Sequence, residues 1–331
     1  MTQQGVEKTR KMLFQTEEEI FSKLVSSDHP FRKLNNLLNF TELAFPFLEC
    51  YSAVGAPGIP LEKGLKTLLV QFWEDYSDRQ AEKAVQENIA VRWFCGFSLT
   101  EDTPDHSYFG KLRQRIGTKR LADLFNTVNT LLAKHGLFGN VFTFIDASTI
   151  ITKTALWEER DQAIKDGEEK MNNANVGRYA ADPQAKFGAK SKTNFWFGYK
   201  LHEAVDMRYG LIKKLCITPA NTPDYQAVKH ICPDQGLVYM DKGYDYQEVD
   251  LVLQANGCSS AIIRKNNNTE KNHDLDSWHS KTRMPFESTF SKRRKRARYR
   301  REVKVLFQYV AEAICLNLKK ALRILPLNLT A

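Results

Sequence analysis

No stretch of the chain approaches the roughly 18 consecutive apolar residues that a membrane-spanning helix needs. The first residues, Met1 to Lys8, contain no apolar core of the signal-peptide kind. Neither a membrane partner nor secretion is expected, and the expected compartment is the cytoplasm. The six cysteines, Cys50, Cys95, Cys216, Cys232, Cys258 and Cys315, stand singly, with no C-x-x-C pair and no histidines at zinc-finger spacing. Buried, reduced thiols are expected rather than a disulfide framework or a zinc site. Internal repeats of about 20 to 50 residues are also missing, as is any low-complexity tract apart from one basic block.

What is present suits a globular protein of two domains: 331 residues, 42% apolar and 26% charged. The net charge of +9 is concentrated. Between Lys281 and Lys304 the chain carries eleven Lys or Arg against only Glu287 and Glu302, so that stretch accounts for the whole excess. Such a block is either a solvated face or a channel that concentrates polyanions.

From about residue 10 to residue 136 the apolar spacing is helical. Ala56-Pro57-Gly58-Ile59-Pro60 marks a loop before a helix with Leu61, Leu65, Leu68, Leu69 and Phe72 on one face. Ser77 and Gln80 form a capping box for a helix predicted over Asp78 to Cys95, ended by Gly96. Asp105 caps a helix bearing Lys111, Arg113 and Arg115 in an exposed pattern, and a further helix ends at His135-Gly136. A helix-turn-helix and a packed bundle fit this pattern equally. Strand character begins at Val141 and returns at Phe195 to Val205, Leu211 to Thr218, Leu237 to Met240 and Ser259 to Ile263, with helical crossovers at Tyr225 to Ile231 and Tyr246 to Gln254. The polar stretch Thr152 to Thr193 is expected to be an insertion, partly helical around Ala155 to Met171 and irregular through Ala181-Asp182-Pro183. Val303, Leu306, Phe307, Val310, Ile314, Leu318 and Leu322 describe an amphipathic closing helix that packs on the sheet.

Two apolar runs end abruptly in an acid. Val141 to Ile145 leads into Asp146-Ala147-Ser148, and Leu237 to Met240 leads into Asp241-Lys242-Gly243. Side chains at such strand tips line the cleft where open α/β sheets bind ligands. Glu287 lies just before the basic block. The strand order brings the first and fourth strand tips together with a C-terminal helix crossing nearby, so three carboxylates can converge. A cluster of that sign repels itself unless cations fill it, and Mg²⁺ suits oxygen ligands. Two ions about 4 Å apart can serve an in-line displacement at phosphorus. Gly243 relieves the turn after Asp241, and Lys242 at the cleft rim can neutralise a phosphate. His202, at the end of a strand, reads as a structural histidine. Trp196, Phe195 and Phe197 near Lys190 and Lys192 read either as core or as a stacking surface for bases.

Phe144-Ile145-Asp146-Ala147-Ser148, Tyr239-Met240-Asp241-Lys242-Gly243-Tyr244 and Arg283-x-x-x-Glu287-x-x-Phe290 resemble the three acidic motifs of the DDE transposases of bacterial insertion sequences, in particular the insertion-sequence-five/four class. Pro104 to Arg113, Ala181 to Gly188 with Phe197 to His202, and Leu211 to Asp224 resemble further signatures of that family in the same order, so that nearly the whole chain is covered.

The resemblance implies an α/β fold: an RNase H-like catalytic core, a mixed sheet with flanking helices, preceded by an all-α N-terminal domain. The domains expected are 1–136, for DNA-end binding or dimerisation, and 137–331, catalytic, with the insertion at about 152–193. Asp146, Asp241 and Glu287 would be both catalytic and metal-holding, with two Mg²⁺ ions for which Mn²⁺ can substitute. The implied activity is cleavage at the element ends and joining of the 3′-hydroxyl to target DNA. Its partners would be double-stranded DNA, as terminal inverted repeats and target, and a second copy of the chain bound on that DNA. DNA contacts are expected from Lys242, Arg283, Arg293, Arg294, Lys295, Arg296 and Arg298, along a helix after Glu287, and from Lys111, Arg113 and Arg115. Arg294 stands where the family commonly has a lysine, replacing a point charge with a planar fork. A transposase-derived DNA-binding protein that no longer cuts and a structure-specific nuclease are the alternatives.

Overall fold

The computed structural model describes residues 16–50, 58–269, 271–291 and 293–325. The start of the helical region near residue 10 and Ala56-Pro57 lie outside the described residues. Two compact units divide the chain: one runs up to Leu124 and resumes from Leu318, the other is Phe125–Asn317.

The first unit is helical: α1 Glu17–Leu24, α2 Pro30–Leu37, α3 Phe40–Ala44, α4 Leu61–Trp73, α5 Asp78–Glu87, α6 Ile89–Cys95 and the first part of α7 His106–Lys134. Its core gathers Phe31, Leu34, Leu68, Val70, Phe94, Phe109 and Leu112, with Phe31 and Phe94 stacked at 4.7 Å. The capping box forms as expected: Ser77 N–H donates to Gln80 Oε1 at 2.9 Å and Gln80 N–H to Ser77 Oγ at 3.3 Å. The helix predicted over Asp78 to Cys95 is instead two helices. Asn88 leaves helical geometry, and its Oδ1 accepts from the amides of Ala90 and Val91, starting α6 afresh. Asp105 caps α7 by accepting from Ser107 and Tyr108 N–H. Within α7, Gly117 is at φ 70° and ψ 161°, a break that separates the two helices predicted there.

The second unit is built on a sheet: β1 Phe142–Ile151, β2 Lys186–Ala189, β3 Phe195–Asp206, β4 Ile212–Pro219, β5 Gly236–Met240 and β6 Cys258–Ile262. Its order is β2-β3-β1-β5-β6, with β4 also paired to β3. β1, β5 and β6 are parallel neighbours, while β3 is antiparallel to β1, β2 and β4. Alternation along β1 assigns the two faces. Ile145 packs with Val228, Ile231, Val249 and Leu253 of α10 Val228–Ile231 and α11 Gln247–Ala255. Phe144 points the other way, edge-on to Phe290 of α12 His273–Ser291 at 5.1 Å. Further along that second face, Ile150, Tyr199 and Leu201 bury Val305 and Tyr309 of α13 Glu302–Ile324, the predicted closing helix.

The polar segment between β1 and β3 is more ordered than its composition implies. It contains α8 Trp157–Lys165, within the part expected to be helical, and also α9 Val176–Tyr179 and the strand β2, which were not expected; Ala181-Asp182-Pro183 is irregular, as predicted. Asp182 is fully buried, accepting from the Tyr199 hydroxyl and from Arg301 N–H, each at 2.9 Å. Those long-range partners carry this segment into the core, and local polarity cannot reveal them. Among the described residues no helix is long and apolar enough to cross a membrane.

Candidate active site

The parallel register pairs Phe142 with Leu237, Thr143 with Val238 and Phe144 with Tyr239. Two residues further along come Asp146 and Asp241, on the face that carries Phe144 and Tyr239; Asp241 directly follows the last residue of β5, but Asp146 is not the strand tip predicted, because antiparallel pairing with β3 carries β1 on to Ile151. Asp241 caps the short 3₁₀ turn Lys242–Tyr244, its Oδ1 accepting from Gly243 N–H at 2.7 Å. A Cβ on Gly243 would stand 2.9 Å from that same oxygen, so a larger residue there would displace the Asp241 carboxylate. Asp146 Oδ1 accepts from the neighbouring Ala147 N–H at 2.8 Å. Burial pushes the Asp146 carboxyl up to about 6, and the negative charges of Asp241 and Asp224 add to the rise; the Ala147 amide and the Arg283 guanidinium oppose it.

Glu287 lies on α12, the helix that packs across this face. Its side chain is 52% exposed, with its carboxylate 3.9 Å from Arg283 one turn earlier. Arg283 in turn lies over the Phe144 ring at 5.6 Å. The structure therefore brings Asp146 and Asp241 together and leaves Glu287 apart from them on the same face. Among the described residues no group of three or more His, Cys, Asp or Glu side chains is gathered closely enough to hold a metal ion.

Two acids at this site were not singled out from the sequence. Asp224 begins a short 3₁₀ turn and is held by Lys200 Nζ at 2.7 Å; it lies in the Pro-Ala-Asn-Thr-Pro-Asp stretch, so the motif was visible although the role was not. Glu203 is directly opposite Asp146 in the β1–β3 ladder and fully buried. No local pattern distinguishes it from any other strand residue. His202, opposite Ala147, is fully buried with Nε2 2.8 Å from Thr218 Oγ1, consistent with its reading as structural.

The basic block differs from expectation in conformation. α12 stops at Ser291, and the residues after Lys292 run beside the end of β1 rather than along a helix. Ile151 N–H donates to Lys295 O at 2.7 Å, Ala297 N–H to Ile151 O at 2.9 Å, and the Tyr309 hydroxyl to Arg294 O at 2.7 Å. These bonds to the sheet and to α13 substitute for helical ones. Arg294, Lys295 and Arg296 are exposed, and Arg298 is half-buried, its N–H donating to Gln308 Oε1. Arg293 is turned inward. Its side chain is 3% exposed, paired with Glu203 at 3.1 Å and donating to Tyr309 O, so it is an interior tie and not a surface for phosphate. Lys242 is exposed at the rim beside Asp241. On α7, Lys111 and Arg115 are exposed as predicted, but Arg113 is not: its side chain is 13% exposed and holds Asp78 through a bidentate pair at 2.8 and 2.7 Å.

These observations define an α/β protein with a pair of carboxylates on adjoining parallel strands beside a basic edge. Residues 19–115 match the family described as Transposase domain (DUF772), and residues 138–318, more than half of the chain, match the Transposase DDE domain. The chain belongs to the DDE transposases of insertion sequences. Its sheet unit is accordingly an RNase H-like core, and DNA is its substrate. No solved structure matches the chain.

Proposed function

We propose that the chain cuts DNA at the ends of its insertion sequence and joins the freed 3′-hydroxyl to target DNA by metal-assisted phosphoryl transfer. The observation that carries this reading is the register-matched pair Asp146 and Asp241, two carboxylates on adjoining parallel strands, held by the backbone amides of Ala147 and Gly243. Transposases of the DDE type generally use divalent metals such as Mg²⁺. The donors fit such an ion. They are all oxygen, and Asp146, whose carboxyl is raised chiefly by burial, also feels the negative charges of Asp241 and Asp224, which a divalent cation would offset. Asp146 and Asp241 would hold it, with Glu287 supplying a third carboxylate from α12, and Mn²⁺ should substitute. Bound there, two such ions would activate the attacking oxygen and stabilise the leaving one.

The remaining roles fall to the chain's own cations. Lys242 and Arg283 flank the two aspartates and would position the scissile phosphate. Arg294, Lys295 and Arg296, presented by a backbone tied to β1, would follow the phosphates of the adjoining DNA, with Arg298 behind them. The helical domain, expected at 1–136, would recognise the element end or mediate dimerisation, and the protein would work as a homodimer on DNA. Incubation with its own element ends, a target plasmid and Mg²⁺ tests the reading: joined products are expected, and cleavage without joining would reassign the chain as a nuclease.

A further inference from the structure

A groove of about 410 Å³ begins at Asp146 and continues along the second half of β1. Ser148 and Ile150 of the sheet lie along it, the turn between β2 and β3 contributes Lys190 and Phe195, and the basic segment contributes Arg294 and Lys295. Both flanks are built structures. The β2–β3 turn is closed by Lys190 N–H donating to Asn194 O at 2.9 Å, and the basic segment is bonded to Ile151 as described above. Phe195 is 62% exposed, a large apolar ring left in solvent between cations, and Lys190 and Lys295 are exposed as well. The acid site uses none of these three side chains.

We propose that this groove holds an unpaired DNA strand leading into Asp146, with Phe195 stacked on one base and Lys190 and Lys295 neutralising phosphates. The proposal rests on the DNA-cutting reading above and adds a substrate form to it. Charge selects a polyanion. The aromatic ring selects an unpaired strand, because in a duplex each base face is already covered by its neighbours, whereas an open base can stack on Phe195. Continuity with Asp146 means that a strand lying here would run its phosphates to the carboxylates.

Fluorescence anisotropy of the full-length protein in EDTA tests this, using a labelled single-stranded oligonucleotide and a blunt duplex of the same sequence. Phe195→Ala should weaken single-strand binding about tenfold, as loss of one base–aromatic stack does, and leave duplex binding within about twofold. Phe195→Trp should restore it. Replacing Lys190 and Lys295 with Gln should flatten the single-strand salt slope by roughly 0.7 per lysine. Unchanged single-strand affinity in Phe195→Ala, equal losses on both probes, or a wild-type protein that binds duplex but not single strand would each overturn the groove proposal alone. A wild-type protein that binds neither probe would sink the DNA-cutting reading together with it.

Discussion

Asp146 and Asp241 are separated by the same 95 positions that pair Phe144 with Tyr239 across β1 and β5. The two carboxylates are therefore neighbours because the strand register makes them so, and each is curled onto a nearby backbone amide, that of Ala147 or of Gly243. Replacing either with Asn, or Glu287 with Gln, is expected to abolish strand transfer while DNA-end binding measured without metal survives. EDTA should stop the wild-type reaction and Mg²⁺ or Mn²⁺ restore it. Near-normal joining by any one variant would remove that residue from the metal site.

The basic segment separates into two kinds of arginine. Replacing Arg294, Lys295 and Arg296 together with Gln should flatten the slope of log affinity against log salt on duplex DNA by roughly 3 units if each meets one phosphate, with little change in thermal midpoint. Arg293→Gln should do the reverse. It removes the guanidinium paired with fully buried Glu203, for a loss of roughly 3 to 5 kcal/mol of stability, and should leave the salt slope of the surviving folded protein unchanged. Denaturant titration beside salt-dependent binding distinguishes the two outcomes.

Of the three α7 cations expected to contact DNA, Lys111 and Arg115 are exposed, so Lys111→Ala or Arg115→Ala in the full chain should weaken the preference for the element's own terminal repeat over scrambled DNA by about 1 to 3 kcal/mol if either reads a guanine. Arg113→Ala should show first as lost stability, since it leaves Asp78 without its bidentate partner. Equal binding to both DNAs by the wild type would reassign the helical domain to dimerisation.

His202 offers a pH test. Burial holds its pKa down at about 4, whereas the unfolded chain titrates near 6.5. The folded protein therefore binds fewer protons than the unfolded one between those values, and this contribution to stability, complete above about pH 6.5, is lost as pH falls toward 4. The loss amounts to roughly 3 kcal/mol. In His202→Gln the decline of unfolding free energy over this window should be shallower by that amount. A decline as steep as in the wild type would mean that other groups carry the pH dependence.

Much of this architecture could be read along the chain, because its determinants are local. Ser77 with Gln80, Asp105, and Gly243 after Asp241 each act on amides or carboxylates within three residues, and all three behave as predicted. The alternation that marks β1, β3 and β5 is equally a property of neighbouring residues. Asn88 is the instructive exception: its capping oxygen is as local as that of Ser77, but it sits within an uninterrupted apolar period that disguises the break.

The sequence by itself determined the acid at the end of β5 and its Lys-Gly turn, the helical first part and the position of the positive charge, since periodicity, capping and composition are set by residues close along the chain; that β1 runs on past Asp146 was decided by its pairing with β3. Only the tertiary structure decided which charges face solvent. Arg293 and Arg294 are adjacent and alike in sequence, but Glu203 and Tyr309 draw one inward while a bond from Tyr309 to the Arg294 carbonyl holds the other at the surface. Likewise β2 and buried Asp182 arise within a polar stretch because Tyr199 and Arg301, distant along the chain, provide their partners. Burial and pairing of this kind depend on strand register and on contacts between remote segments, which no local window contains.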